Sequence, residues 1–318
     1  MSRPINRLSP LLGRCWYSSK PCPSKQGTHP IDSSSKVIRH LQFTKLLPFE
    51  KGLKIQEKFV RAQLDMKQLQ SKISRKLAQL EEENVGATVN QHEQAILNSI
   101  LEMKPNPVVL TFEFEPTYTG GKRIKKTITP KQLAAYENFV PELQKENPKP
   151  KFVQVERGGQ VTFHGPGQLV AYVILDLKSF HKFPAKCLVS GIEAATISSL
   201  KKTPIDENKT PLNLETKTTN ETGVWTSQKE KIASIGIHVR RSVTSHGVSI
   251  NISPDLSYMN HFTMCGLPQS RATSVLEQVP TSDCTVNSVG ITFVNELAKV
   301  LGIDTVERIE LEDLDIEG

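Results

Sequence analysis

The most unusual stretch of this sequence lies at residues 157–168, between two apolar segments. It reads Arg157-Gly158-Gly159-Gln160-Val161-Thr162-Phe163-His164-Gly165-Pro166-Gly167-Gln168. Glycine lets a backbone approach a ligand closely and adopt positive φ, while Arg157 and His164 add charge and hydrogen-bond donors. The stretch lacks the Lys-Ser/Thr of a P-loop and does not fit the GxGxxG motif. As a bare pattern of glycines it also fits an ordinary hairpin.

The segments around this stretch predict an α+β fold. Runs rich in β-branched and aromatic residues indicate strands, at Val37–Leu41, 108–114, 152–156, 169–177, 223–227, 231–239 and 243–252. Apolar residues at three- and four-residue steps indicate helices, at 48–83, 91–103, 182–202 and 286–301. Helices alternate too rarely with the strands for a doubly wound parallel sheet. We therefore expect a mixed or mainly antiparallel sheet flanked by helices.

The two ends of the chain differ in composition from the middle. Residues 1–19 contain Arg3, Arg7 and Arg14 and several serines but no acidic residue, which is typical of a mitochondrial presequence. A disordered basic tail is the alternative interpretation. Residues 20–36 are rich in Ser, Pro and Lys and indicate a linker. One folded domain is expected over 37–303, with a polar loop insertion at 203–222 and an acidic C-terminal tail at 304–318.

Composition excludes several classes of function. The chain has 318 residues, of which 37% are hydrophobic, and a formal net charge of +7. No apolar run approaches the roughly 18 residues of a membrane span, and no Lys/Arg run is interleaved with aromatic residues as nucleic-acid binding would favour. The five cysteines are Cys15, Cys22, Cys187, Cys265 and Cys284. Their odd number and lack of zinc-ligand spacing point to the chemistry of single thiols.

Three blocks of the sequence together resemble the lipoyl(octanoyl) transferase family. The first is residues 157–168 with Leu169-Val170-Ala171-Tyr172; the second is Gly223-Val224-Trp225, Lys231-Ile232-Ala233-Ser234-Ile235-Gly236-Ile237 and 239–247; the third runs from Asn251 through Asp255-Leu256 to Cys265-Gly266. All three come in the family's order. The resemblance implies the fold of the biotin- and lipoate-protein ligase catalytic domains for residues 37–303.

The resemblance also implies which residues act. Cys265 matches the nucleophile of the family's Cys-Gly motif, and Lys231 matches the family's lysine. The residues that match its acyl-binding positions are Arg157, Gly158, Gly159, Gln160, Val161, Thr162, Phe163, His164, Ser234, Ile235, Gly236, Gly247, Val248 and Ser249. His246 would support them through hydrogen bonding. The resemblance implies no metal and no cofactor.

The chemistry of a thiol and a lysine fits a two-step acyl transfer. A thiol needs a neighbouring cation or base before it can attack, and desolvation can make a lysine amine act as a base. The family's reaction implies that Cys265 takes octanoyl from octanoyl-acyl carrier protein as a thioester, without ATP. A lysine of a lipoyl domain would then accept it, in the glycine-cleavage H protein or a 2-oxoacid dehydrogenase acyltransferase subunit. The expected location is the mitochondrial matrix.

Other functions remain open from the sequence alone. An ATP-dependent lipoate–protein ligase shares the fold but needs no cysteine nucleophile. A non-catalytic scaffold that only binds lipoyl domains is a second alternative. A transferase could also move the acyl group from one lipoyl domain to another.

Overall fold

A computed structural model describes residues 28–82, 90–141, 149–206, 208–262 and 269–313. Within these ranges the helices are α1 (Phe49–Glu82), α2 (Gln91–Glu102), α3 (Pro130–Glu137), α4 (Ala185–Lys202), α5 (Ser257–Asn260), α6 (Val275–Gln278) and α7 (Val286–Leu301). The strands are β1 (Val37–Leu47), β2 (Val108–Phe114), β3 (Thr117–Gly120), β4 (Lys151–Gln154), β5 (Val161–His164), β6 (Gln168–Ile174), β7 (Val224–Trp225), β8 (Glu230–Arg240), β9 (Val243–Asn251), β10 (Arg271–Ala272) and β11 (Thr305–Leu311).

The strands form two sheets. The large one has the order β10-β8-β9-β6-β2-β1-β11, with β7 paired to β8, and the small one has the order β4-β3-β5. In the large sheet β2–β6, β6–β9 and β8–β9 are antiparallel, whereas β1 pairs in parallel with β2 and β11. The predicted α+β class with a mixed sheet is therefore confirmed.

Side chains alternate across the large sheet and create two cores. Leu169, Ala171 and Val173 of β6 belong to the core that also contains residues of α4 and α7. The next residues along the same strand, Val170 and Tyr172, belong to the core that contains residues of α1. This alternation is the period-two pattern of a strand. Helices α4 and α7 therefore cover one face, and the start of α1 covers the other.

Most of the predicted elements are present, but two segments differ. Residues 304–318, expected as an acidic tail, contain β11, which pairs in parallel with β1. The pairing provides hydrogen-bond partners for the backbone groups at the edge of β1 and packs Val306 against the core. Glu307 and Arg308 stay exposed. Helix α3 is an element that the sequence analysis does not predict. It begins with a capping box between Thr129 and Gln132, a sequence signal for a helix start.

No helix in the described ranges is both long enough and apolar enough to cross a bilayer.

Glu296 joins α4 to α7 and gives the fold a pH dependence. Its carboxylate accepts from Ser198 at 2.5 Å, from Lys202 at 2.8 Å and from Lys299 at 2.6 Å. Burial alone would raise the pKa of Glu296, but these hydrogen bonds outweigh it and lower the pKa to about 2. Because the folded-state pKa lies below that of the unfolded chain, the stabilisation is complete above about pH 4.5 and is lost as pH falls toward 2.

We expect Glu296→Gln to lower the free energy of unfolding by about 1–2 kcal/mol at pH 7, because charge-assisted hydrogen bonds are lost. The difference from wild type should shrink as pH falls below 4.5, and urea unfolding at a series of pH values measures it. Glu215→Gln is the control, since Glu215 forms an exposed pair with Lys201 and should change stability by less than about 0.5 kcal/mol. Equal losses in both variants would contradict the assignment.

Candidate active site

A cavity lies on the α1 side of the large sheet, between the glycine-rich loop and strands β6, β8 and β9. Its empty volume, including the solvent-filled opening, is about 560 Å³. The lining residues that the sequence predicts are Arg157, Gly158, Gly159, Gln160, Val161, Thr162, His164, Lys231, Ser234, Ile235, Gly236, His246, Gly247 and Ser249. The sequence did not predict four further lining residues: Phe49, Val155, Val170 and Tyr172.

The side chain of Arg157 holds the glycine-rich loop in place. Its guanidinium donates to the carbonyl oxygens of Gly158 at 3.1 Å and Gln160 at 3.0 Å. It also donates to the carbonyl and hydroxyl oxygens of Thr119 on β3, at 2.7 and 2.8 Å. The backbone N–H of Gly158 donates to Ile237 O of β8. Arg157 therefore ties the loop to the small sheet, and the Gly158 N–H ties it to the large one.

Lys231 is buried at the beginning of β8. It is 4% exposed, and its Nζ lies 5.1 Å from the centre of the Trp225 ring. Its carbonyl oxygen accepts from the N–H of Thr273 at 3.0 Å, and it stands opposite Ala272 of β10. A lysine is rarely buried without a specific role or partner, which distinguishes Lys231 from the exposed Lys229 two positions before it.

A chain of buried hydrogen bonds crosses the base of the cavity. His164 Nδ1 lies 2.8 Å from Gln168 Oε1, Gln168 Nε2 donates to Asn251 Oδ1 at 2.9 Å, and Asn251 Nδ2 donates to Thr273 O at 2.9 Å. With this amide orientation, His164 Nδ1 carries the proton and donates. Burial and the nearby Arg157 lower the pKa of His164 to about 3. The ring is therefore neutral at pH 7 and is a weak base.

His246 is held where β9 departs from regular strand geometry. Its φ is +59°, and its backbone N–H donates to Gln56 Oε1 of α1 at 2.6 Å. Burial, helped by Arg157, lowers the pKa of His246 to about 3. The neutral ring packs edge-on against Tyr172, with 5.7 Å between ring centres. Helix α1 therefore fixes one wall of the cavity through Gln56.

Two predicted binding residues lie away from the cavity. Phe163 is buried in a separate cluster, stacked on Tyr258 with ring centres 4.6 Å apart. Val248 packs in the core on the α4 and α7 side of the sheet. Alternation along β5 and β9 explains both: the neighbours Thr162 and His164, and Gly247 and Ser249, line the cavity instead. The predicted nucleophile Cys265 lies in residues 263–268, outside the described residues.

Comparison with known proteins identifies the family of this chain. The family described as the lipoyl protein ligase A/B catalytic domain matches residues 87–298. The chain is similar to a mitochondrial octanoyltransferase of Kluyveromyces lactis, with 64% identity over 95% of this chain and 91% of the relative. A mitochondrial octanoyltransferase of Saccharomyces cerevisiae is 63% identical over 92% of this chain and 90% of the relative.

A solved structure of low sequence identity supports the fold alone. A protein from T. acidophilum with bound lipoic acid superposes with a TM-score of 0.51 at 14% identity, over 85% of this chain and 89% of that one. The family match over residues 87–298 shows that the chain contains a lipoyl protein ligase A/B catalytic domain. Within that class, the chain belongs to the octanoyltransferase family: it is a mitochondrial acyltransferase.

Proposed function

We propose that this enzyme transfers octanoyl from octanoyl-acyl carrier protein to the lysine of a lipoyl domain, through a thioester on Cys265. The observation that carries the proposal is the buried Lys231, which lines the same cavity as the glycine-rich loop. A buried amine beside a narrow cleft suits proton transfer in a water-poor site. Apolar lining residues such as Phe49, Val155 and Val170 suit an alkyl chain.

The described residues on either side of Cys265 support its role. Asn260 and Ala272 are tied together by two hydrogen bonds, from Ala272 N to Asn260 Oδ1 at 2.7 Å and from Asn260 Nδ2 to Ala272 O at 3.2 Å. Ala272 stands opposite Lys231 in the β10–β8 pairing. Of the described residues that flank positions 263–268, Ala272 thus lies beside Lys231, and Asn260 is hydrogen-bonded to Ala272.

The proposed reaction has two acyl transfers. The Cys265 thiolate attacks the carbonyl carbon of the octanoyl thioester, the carrier's C–S bond breaks, and the carrier leaves as a thiolate, which takes a proton from solvent. The acceptor lysine's neutral amine then attacks the new thioester, an amide bond forms, and the Cys265 thiolate leaves. Lys231 takes the proton that the attacking nitrogen loses. Backbone N–H groups around the cavity are suited to stabilise the oxyanion of each step.

The proposed partners follow from this reaction. The donor is octanoyl-acyl carrier protein, and the acceptors are the lipoyl domains of the glycine-cleavage H protein and of 2-oxoacid dehydrogenase acyltransferase subunits. The proposed location is the mitochondrial matrix, where the presequence at residues 1–19 would deliver the enzyme. The scaffold alternative predicts binding of lipoyl domains with no acyl transfer.

A donor comparison tests the proposal. Purified enzyme and an apo lipoyl domain are incubated either with octanoyl-acyl carrier protein without ATP, or with free octanoate and ATP, and the acceptor mass is followed. We expect octanoylation only with the carrier-bound donor. Octanoylation that requires free octanoate and ATP would instead assign the enzyme to the ligases. No modification in either mixture, with binding retained, would favour the scaffold.

The hydroxyl of Tyr172 gives a further prediction about the cavity. It is buried and has no hydrogen-bond partner among the described residues. The Tyr172 ring itself packs against the Phe112 and His246 rings, with 5.5 and 5.7 Å between ring centres. An unsatisfied buried hydroxyl costs about 1–3 kcal/mol. We expect Tyr172→Phe to raise stability by up to about 1 kcal/mol and to leave the KM for the octanoyl donor equal or lower.

Tyr118→Phe is the matched control, because the Tyr118 hydroxyl donates to Tyr258 O at 2.7 Å. Losing that bond should lower stability by about 1 kcal/mol. Thermal unfolding and steady-state kinetics of both variants decide the question. A tenfold loss of transfer in Tyr172→Phe would show that the hydroxyl contacts the substrate.

A further inference from the structure

Helix α4, on the other face of the sheet, sends one acidic side chain toward Lys231. Glu193 is partly buried, and its Oε1 accepts from the backbone N–H of Gly223 at 3.0 Å. The resemblance to the transferase family assigned no role to this residue. Burying an acidic side chain destabilises the fold unless the carboxylate is paired or hydrogen-bonded.

Gly223 is the contact between Glu193 and Lys231. Its φ is +127°, and a Cβ there would lie 2.5 Å from Lys231 Cε and 3.1 Å from Lys231 Nζ. The backbone of Gly223 thus packs directly against the end of the lysine side chain, at a distance that only glycine permits. Because Glu193 anchors the N–H of Gly223, it fixes the surface against which the amine rests.

The carboxylate also acts on the amine through its charge. Burial raises the pKa of Glu193, while the Gly223 N–H and the charge of Lys231 oppose that rise. The carboxylate and the amine therefore lie within electrostatic range of each other. The Trp225 ring, 5.1 Å from Lys231 Nζ, adds the negative face of an aromatic system. Glu193 and the Trp225 ring are therefore both neighbours of the Lys231 side-chain end.

We propose that Glu193 is a positioning residue for the transfer step, which holds Gly223 against Lys231 and stabilises the ammonium that forms when Lys231 takes the acceptor's proton. The inference rests on the proposed function, because it assumes that Lys231 is the base. The first step, attack of the Cys265 thiolate on the donor, makes smaller demands on Glu193, because Lys231 gains no proton in it.

The test separates the two steps in single-turnover experiments. Octanoyl-acyl carrier protein is mixed with enzyme to measure acyl-enzyme formation, and the acyl-enzyme is then mixed with an apo lipoyl domain. We expect Glu193→Ala to slow the second step by about 10–100-fold and the first by less than about threefold. Glu193→Gln should recover part of the second-step rate, because its amide oxygen can still accept from Gly223.

Controls separate this inference from the proposed function. Glu296 is a buried carboxylate on α7 that accepts hydrogen bonds from Ser198, Lys202 and Lys299. Its replacement, Glu296→Gln, should lower stability without slowing either step. Wild-type rates in Glu193→Ala, with Lys231→Met inactive, would overturn the role of Glu193 alone. Should Glu193→Ala fail to fold, Glu193→Gln decides: a transfer rate equal to wild type contradicts the charge effect. A wild-type enzyme that never forms the acyl-enzyme would overturn the proposed function itself.

Discussion

Replacing Lys231 by methionine is expected to lower the rate of octanoyl transfer by about 10³-fold or more, while the protein stays folded. Methionine keeps most of the length and apolar surface of lysine but has no amine to take a proton. Loss of a general base typically costs about 10²–10⁴-fold, and the same amine is expected to assist the Cys265 thiolate. The measurement is the single-turnover rate of lipoyl-domain octanoylation, followed by mass spectrometry.

Lys229→Met is the matched control for this substitution. Lys229 is exposed, two positions before Lys231, at the turn that leads into β8. Its replacement should change the transfer rate by less than about twofold, because its side chain is exposed and does not line the cavity. A transfer rate in Lys231→Met as high as that in Lys229→Met would contradict the assignment of Lys231 as the base.

A single methyl group at Gly247 is expected to be the most damaging change to the sheet. A Cβ added there would lie 2.2 Å from the carbonyl oxygen of Ala171 on β6. The contact is with backbone, so no side-chain rotation can relieve it, and β9 would have to separate from β6. We expect Gly247→Ala to lower the free energy of unfolding by about 3 kcal/mol or more.

Gly158→Ala tests whether the effect is specific to this contact. The nearest atom to a Cβ at Gly158 is Ile237 O at 3.7 Å, an ordinary van der Waals distance. Its unfolding free energy should stay within about 0.5 kcal/mol of wild type. Urea unfolding of both variants provides the comparison. A Gly247→Ala protein as stable as wild type would show that β6 and β9 can move apart enough to accommodate the added methyl group without loss of stability.

The sequence predicts the local elements of this fold well because each element carries its own signal. The apolar stripe of α1 and the β-branched runs of β2, β8 and β9 are sufficient without tertiary information. The edge strand β11 was missed because its charged, exposed residues lack strand alternation. It exists because β1 offers a free edge, which is a property of the assembled sheet.

The cavity residues also divide into those that the sequence predicts and those that only the tertiary structure brings to the site. The glycine-rich loop and Lys231 were predicted, through the family resemblance, because they lie in distinctive sequence blocks. Phe49 and Glu193 carry no such signal, since each reaches the site from a helix that is distant in the sequence. Tyr172 lies at the end of the first block, but the resemblance gave it no role. Phe163 was assigned to the cavity because it lies inside the first block, and Val248 because the resemblance carries the acyl-binding positions on to the residues directly after the second. Only the structure shows on which face of its strand each side chain lies, and both lie on a face away from the cavity.

The most direct test of the proposed thioester relay is the intact mass of the enzyme after mixing with octanoyl-acyl carrier protein, without ATP, beside Cys265→Ser. The proposal predicts an octanoyl adduct on wild type, no thioester adduct on the variant, and loss of the adduct when an apo lipoyl domain is added. An octanoylated lipoyl domain produced equally by wild type and Cys265→Ser, with no adduct on either, would contradict a thioester on Cys265.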